Sequence, residues 1–312
     1  TFSSSYTLLD ITDPRNPELL WERSYDDLGL TTSFPAVIKV GAGVEEKWFA
    51  VFGSGPSNYD GTANGLNGHV YVVDLTTGEP FQSSSGIDWL FATAETNAFM
   101  NSPVSVDVGL NYNVDAVYFG EAYYDSSKTV PWRGKLYKMV IPCVDSGGDF
   151  SDDSDNYSNN PLATGINQAW QLVPLLDATR PITSSVSLSV DTFDNVWVFV
   201  GSGRYFSLLD KTNTDQQFMF GVKDPFFNKP MHESDGYYHN YTAYKELAIS
   251  DLLNSDPYLI LSGGTVYLDL DGDGILDYSE FTAAPFGNWS YLLTTARAKD
   301  GWVRSLTITG ER

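Results

Sequence analysis

Three stretches of the chain repeat one pattern of apolar and polar positions. The first runs TSFPAVIKV…KWFAVFGSG and on into GHVYVVDLTTGEPF. The second runs NSPVSVDVG…DAVYFGEA into GKLYKMVIP, and the third TSSVSLSVD…NVWVFVGSGRY into QQFMFGVKD. Each opens on small polar residues and continues as an alternating apolar segment. A second segment then ends in or near glycine, and a third carries an aromatic near its middle. Alternation with a period of two, bounded by Gly, Asn, Asp and Pro, predicts short β-strands. Ser33 to Gly53 is 20 residues, Ser102 to Gly120 is 18 and Ser185 to Gly201 is 16. From those glycines to Tyr71, Tyr137 and Phe218 is 18, 17 and 17. The repeats start 69 and 83 residues apart, longer than the roughly 40–50 residues of common propeller blades, so loops must be inserted.

Repeated sheets of this kind make an all-β protein, and the repeat predicts a β-propeller rather than a sandwich. Three clear repeats with strand-like pieces at both ends (YTLLDITDPRNPELLWE and KDGWVRSLTITGER) give about four or five blades of a partial propeller, spanning 1–312 as a single domain. Opening on Thr1, without a leader, the sequence reads as a mature piece or a fragment. Helical signals are few: ETNAFM at residues 95–100 and a segment from about Tyr244 to Leu253. Two insertions interrupt the pattern. Residues 143–165 are acidic, Ser/Asn-rich and poor in apolar side chains, which predicts an exposed solvated loop. Residues 228–290 form the second insertion.

That second insertion contains VYLDLDGDGILDYSEF. From Asp269 to Glu280 the chain matches D-x-[DN]-x-[DN]-G-x5-E, the spacing of an EF-hand calcium loop. Calcium takes six to eight oxygens, which such a loop supplies from positions 1, 3, 5, 7, 9 and 12. Here these are Asp269, Asp271, Asp273, the carbonyl of Ile275, Asp277 and Glu280, with Gly274 at the sharp turn and Leu276 as an apolar anchor. The preceding GGTVYLDL alternates like a strand, so the expectation is a Ca2+ loop mounted on a strand rather than between two helices.

Composition narrows the partners. Forty acidic residues against 18 basic give a formal charge of −22, which disfavours nucleic acid and anionic membranes, since both need clustered Lys and Arg. No run of eighteen apolar residues predicts a membrane span. Nineteen Tyr, 18 Phe and 8 Trp speak for packed strands against disorder. The single cysteine, Cys143, excludes a disulfide within the chain and has no neighbouring histidine or cysteine to make it reactive. His69, His232 and His239 stand in unrelated contexts, no G-x-S-x-G elbow occurs, and the glycine turns GSGRY and GSGPSNYDG lack the G-K-[ST] ending of a phosphate loop.

LLDITDPRNPELLWE, SFP, WFAVFGSG and HVYVVDLTTG together resemble the C-terminal propeller of the PilY family, proteins of the type IV pilus tip. The third repeat is similar to that family's pattern of a Gly-[ST]-Gly-[RK]-Tyr turn, an aspartate a few residues on and a Gly-[IV]-x-Asp strand end. Here these are Gly201, Ser202, Gly203, Arg204, Tyr205, Asp210, Gly221 and Asp224, and the terminal GWVRSLTITGER resembles the family's Gly-Trp…Gly-Glu-Arg segment. The resemblance runs in order from about residue 8 to residue 312. It implies an extracellular protein at the pilus tip in a complex with minor pilins, contacting host or abiotic surfaces, with roles in adhesion, pilus assembly and twitching motility, and a propeller that binds calcium. The family's opening and closing propeller segments are absent, and the calcium loop lies in an insertion with the longer EF-hand spacing. No Arg-Gly-Asp occurs. YVVDLTTGEPF is also similar to the repeats of quinoprotein dehydrogenases, but no adjacent cysteine pair or haem-attachment motif accompanies it, so a non-enzymatic protein is expected.

Overall fold

The structure is a computed structural model that describes residues 3–40, 46–63, 65–81, 90–108, 110, 112–140, 170–192, 195–225, 245–272, 274–283 and 285–306. Cys143, the 143–165 insertion, Asp273, His232 and His239 lie outside these residues.

The first strands, β1 (Tyr6–Asp10) and β2 (Glu18–Arg23), form an antiparallel hairpin. The first repeat then forms a four-stranded antiparallel sheet in chain order: β3 (Ala36–Val40), β4 (Lys47–Gly53), β5 (Asn67–Asp74) and β6 (Leu90–Thr96). The second sheet is built around the long β9 (Ala116–Tyr124). β7 (Ala98–Met100) and β10 (Trp132–Arg133) pair with its end, and β8 (Val104–Val106) and β11 (Lys135–Val140) with its beginning. β12 (Gln171–Asp177) completes the meander. The third repeat gives β13 (Ser187–Val190), β14 (Val196–Gly201) and β15 (Gln217–Lys223).

After β15 the chain leaves the third sheet and returns late. β16 (Leu247–Ala248) joins the second sheet beside β12, and β17 (Leu253–Asn254) lies at the far edge of the third. A three-stranded sheet follows from β18 (Tyr258–Ile260), β19 (Thr265–Leu268) and β20 (Gly287–Asn288), with α1 (Tyr278–Thr282) between the last two and α2 (Trp289–Arg297) after them. Only then does β21 (Gly301–Leu306) pair with β15 as the fourth strand of the third sheet. The protein is all-β in class, with few helices.

Period-two alternation decides how the sheets stack, because both faces of the middle sheets are apolar. On β4, Phe49 and Val51 face the second sheet and pack with Val117, Phe119 and Met139. Ala50 and Phe52 point the other way, onto Tyr6 and Tyr25 at the hairpin. On β9, Ala116 and Tyr118 turn toward the third sheet and meet Val196, Val198 and Phe220. Hairpin and sheets therefore lie face to face in chain order.

One contact recurs at the start of each repeat. Ser33 Oγ accepts from Gly53 N–H at 3.0 Å and donates to Asn101 O at 3.1 Å. Asn101 Oδ1 accepts from Gly120 N–H at 2.7 Å, and its amide donates to Ser184 O. Ser184 Oγ in turn reaches the carbonyl of Gly201 at 3.4 Å. The partner of Ser33 in the second repeat is thus Asn101, one residue before the serine that the sequences align with it. Asn101 is buried, so Asn101→Ala strands an N–H and a carbonyl at once. The expected loss is about 2 kcal/mol of stability, read as a shift in the denaturant midpoint.

Both helix expectations are corrected. Residues 95–100 are the end of β6 and all of β7, turned at Asn97 with a φ of 55°. Of the 244–253 segment, the described residues form β16, a single 3-10 turn (Ile249–Asp251) and the start of β17. Free sheet edges captured both stretches over their modest helical propensity.

Candidate functional site

The calcium-type loop leaves β19, as the alternation predicted, and enters α1. Asp269 closes it from within, accepting from Gly272 N–H at 2.6 Å through Oδ1 and from Gly274 N–H at 2.9 Å through Oδ2. Both glycines have φ near +80° (80° and 77°), a conformation that L side chains rarely adopt. Asp277 caps α1, its Oδ1 accepting from Ser279 N–H (2.8 Å) and Glu280 N–H (3.0 Å). Hydrogen bonds from the Ser279 side chain and the Glu280 backbone hold the Asp277 carboxyl below its ordinary value.

Glu280 is the anchor, only 1% exposed. Its Oε1 accepts from Leu270 N–H at 2.7 Å and its Oε2 from Asp277 N–H at 3.1 Å, so the carboxylate is aimed back over the loop. Tyr267 and Phe281 stack at 6.2 Å and fix α1 on β19. As a result Asp269, Asp271 and Glu280 each offer a carboxylate oxygen, all within 4.8 Å of one another. Two oxygens at about 2.6 Å on opposite sides of one calcium lie about 5 Å apart, so the three fit a single ion. Asp277 is not among the three, in keeping with a ninth position that binds through water. Asp273 lies outside the described residues, and Ile275 is exposed. The entry from a strand is as expected, while on the exit side the short helix α1 stands where the second helix of an EF-hand would start.

The loop is tied to the third sheet. Asp269 N–H donates to Pro257 O at 2.9 Å. Arg304 on β21 donates to the carbonyl of Ser255 (2.9 Å), and Ser305 N–H donates to Asp256 Oδ1 (2.7 Å). A cleft of about 140 Å³ lies between Asp269, Asp256 and Arg304.

The third-repeat motif is a set of joints between repeats. Arg204 pairs with Asp210, which also accepts from the N–H groups of Phe206 (2.9 Å) and Ser207 (2.7 Å). The Arg204 guanidinium lies 3.8 Å from the ring centre of Trp132 in the second repeat and donates to Asp60 O (2.5 Å) in the first. One arginine therefore touches all three repeats. Ser202 Oγ accepts from Phe218 N–H at 2.8 Å, as Ser54 Oγ accepts from His69 N–H at 2.9 Å in the first repeat.

Asp224 is fully buried. It accepts from Lys138 Nζ and from Tyr118 OH, both at 2.6 Å, across the seam of the second and third sheets. Burial pushes the Lys138 ammonium below its ordinary value against the pull of Asp224, and it pushes the Tyr118 hydroxyl well up. Gly221 faces Trp302 across the β15–β21 ladder, where a Cβ would run into the indole. Gly301, at φ 153°, lies on the Gly221 carbonyl. Two distant pieces of the resemblance, Gly-[IV]-x-Asp and Gly-Trp, thus pack on each other. Tyr118, Lys138 and Trp132 carry no motif of their own and escaped the sequence reading.

Among the described residues no helix is long and apolar enough to cross a membrane. No family model matches the sequence. Two proteins of Xylella fastidiosa described as type IV pilus biogenesis factor PilY1 homologs are 26% and 24% identical to it, each over 69% of this chain and 14% of their own length. The type IV pilus biogenesis factor PilY1 of Pseudomonas aeruginosa strain PAO1 is 28% identical over 225 residues, 69% of this chain and 18% of its own. The chain therefore spans less than a fifth of the curated relatives it matches. The crystal structure of the P. aeruginosa PilY1 C-terminal domain superposes with a TM-score of 0.60 at 19% identity, covering 98% of this chain and 57% of that one. The curated homologues of this chain are thus PilY1 proteins, and its fold is similar to that of the PilY1 C-terminal domain.

Proposed function

We propose that the chain is a calcium-binding, non-enzymatic part of a type IV pilus protein, working outside the cell at the pilus tip with minor pilins in surface adhesion, pilus assembly and twitching motility. The observation that carries this reading is the match to PilY1 proteins over 69% of the chain. Its sheets belong to a β-propeller with the described repeats as successive blades. The Ser33–Asn101–Ser184 relay between repeats supports that arrangement, since an equivalent residue hands on to the next one around an axis.

Calcium would bind through Asp269, Asp271 and Glu280, with Asp273, the Ile275 carbonyl and Asp277 completing the set. The ion supplies the positive charge that lets these carboxylates approach; the like charges otherwise repel. Calorimetric titration of the chain with calcium is expected to give about one site, lost in Asp271→Ala. Chelation is expected to speed proteolysis between Tyr258 and Arg297 in the parent and to leave that variant unchanged. No heat, or binding that the variant keeps, would remove calcium from the reading. In cells, loss of twitching on Asp271→Ala in the full-length protein is the corresponding result, and unimpaired motility would sever the loop from pilus function.

A further inference from the structure

A cleft lies where the loops after the second strand of each repeat converge. It measures about 640 Å³, within the range of small-ligand sites, and is lined by Asp60 of the first repeat, Tyr124, Ser126 and Trp132 of the second, Arg204 of the third, and Asn97. Rigid sheets that aim loops of several repeats at one point are a common support for binding.

Its chemistry is selective. The one guanidinium is already neutralised by Asp210, stacked on Trp132 and bonded to the Asp60 and Gly61 carbonyls. With Asp60 and Asp210 both in the lining, the cleft carries more negative than positive charge, which disfavours phosphate, sulfate and carboxylate ligands. The lining is mixed, and its polar groups at Thr62, Asn97, Ser126 and Asn213 would lose their water to a purely apolar ligand. What it presents are an aromatic ring and hydroxyl at Tyr124, 39% exposed and braced edge-on by Trp132 at 5.2 Å, and the exposed Ser126 hydroxyl beside it. Asp60, exposed and in the lining, accepts from Thr62 Oγ at 3.0 Å through one carboxylate oxygen.

The geometry points to a binding site for a neutral saccharide. A sugar stacks its C–H face on a fixed aromatic ring and donates hydroxyls to a planar carboxylate, and both are here at the rim of one cleft. The cation-stacked Trp132 is support for Tyr124 rather than a platform itself. The site stands on the cleft alone; its use in holding surfaces rests on the adhesive function proposed above.

Saturation-transfer NMR of the chain with methyl glucoside, methyl galactoside, methyl mannoside, maltose and lactose tests it. At least one is expected to receive saturation, with a dissociation constant on the order of 1 mM, while sialyllactose is not. Tyr124→Ala and Asp60→Asn, each checked for an unchanged melting curve, are expected to weaken binding at least ten-fold, and Leu19→Ala, on the hairpin, to leave it alone. No transfer from any neutral sugar, transfer that both variants keep, or preference for acetyl-lysine-methylamide or sialyllactose would overturn the assignment. Adhesion of piliated cells is measured separately. Sugar binding without an adhesion defect in the variants would leave the site standing and count against its adhesive use.

Discussion

Asp224→Ala is expected to destabilise the protein by about 3–5 kcal/mol, the cost of removing one partner from a buried charge pair. Asp224 is fully buried and takes two hydrogen bonds of 2.6 Å, one from the Lys138 ammonium and one from the Tyr118 hydroxyl. Without the carboxylate, the Lys138 ammonium loses its 2.6 Å ion pair at the buried seam of two sheets. Water has no ready route to it, since Lys138 is only 3% exposed. The same seam offers a discriminating control. Lys138→Met with Asp224→Leu removes both charges at similar volume and is expected to recover most of the loss, because a buried ion pair is often no better than the apolar groups that replace it. Denaturant unfolding of parent, single and double variants reads this directly. A single variant within 1 kcal/mol of the parent would show that the seam opens to water. A double variant as weak as the single one would mean that the pair, beyond merely cancelling its own burial, holds the sheets in register.

The sequence carried the strands and the motif positions, but not their partners. Alternation placed β4, β9 and β14 because each is read by its own neighbours along the chain. The fourth strand of the third sheet was hidden for the opposite reason: β21 pairs with β15 from the far side of the calcium-loop insertion, and no local pattern records that return. The two misplaced helices fail similarly. Ala98–Met100 and Leu247–Ala248 have side chains that suit a helix, but the edges of β9 and β12 were free to take their backbone hydrogen bonds.

At the sites the same division holds. The calcium-type loop was legible because its carboxylates and glycines lie within twelve residues and close on one another through Asp269 and Glu280. Arg204, Asp210 and Asp224 could be singled out by resemblance, but what they hold could not. Lys138 lies 86 residues from Asp224, and only the stacking of two sheets brings them together. Tyr124, Asp60 and the cleft between them had no signal at all, since a converging set of loops is a property of the repeat arrangement and of no single segment.

Glu121 carries the second large expectation, a fall in stability as pH rises from about 4.5 to about 8. Its side chain is fully buried on β9, and burial pushes its carboxyl up to about 8. Glu95 nearby pushes in the same direction, while the Thr93 hydroxyl, Lys135 and Tyr137 pull the other way. Thr93 Oγ donates to Glu121 Oε1 at 2.5 Å, and the carboxyl sits over Gly68, where any side chain would crowd it. At neutral pH the folded protein therefore keeps a proton on Glu121 that the unfolded chain has lost. The folded state binds more protons over that window, so stability drops with rising pH by about 1.4 kcal/mol per unit and levels off above the folded value. Glu121→Gln keeps an acceptor for Thr93 and abolishes the ionisation. It is expected to match the parent near pH 4 and to exceed it by about 3 kcal/mol at pH 7. The other carboxylates titrate in both proteins, so the difference between the two urea-unfolding curves, taken from pH 4 to pH 8.5, isolates this one group. Parallel curves would mean that Glu121 ionises in place. A variant weaker at every pH would mean that the amide does not reproduce the hydrogen-bond geometry of the neutral carboxyl at the seam between the first two sheets.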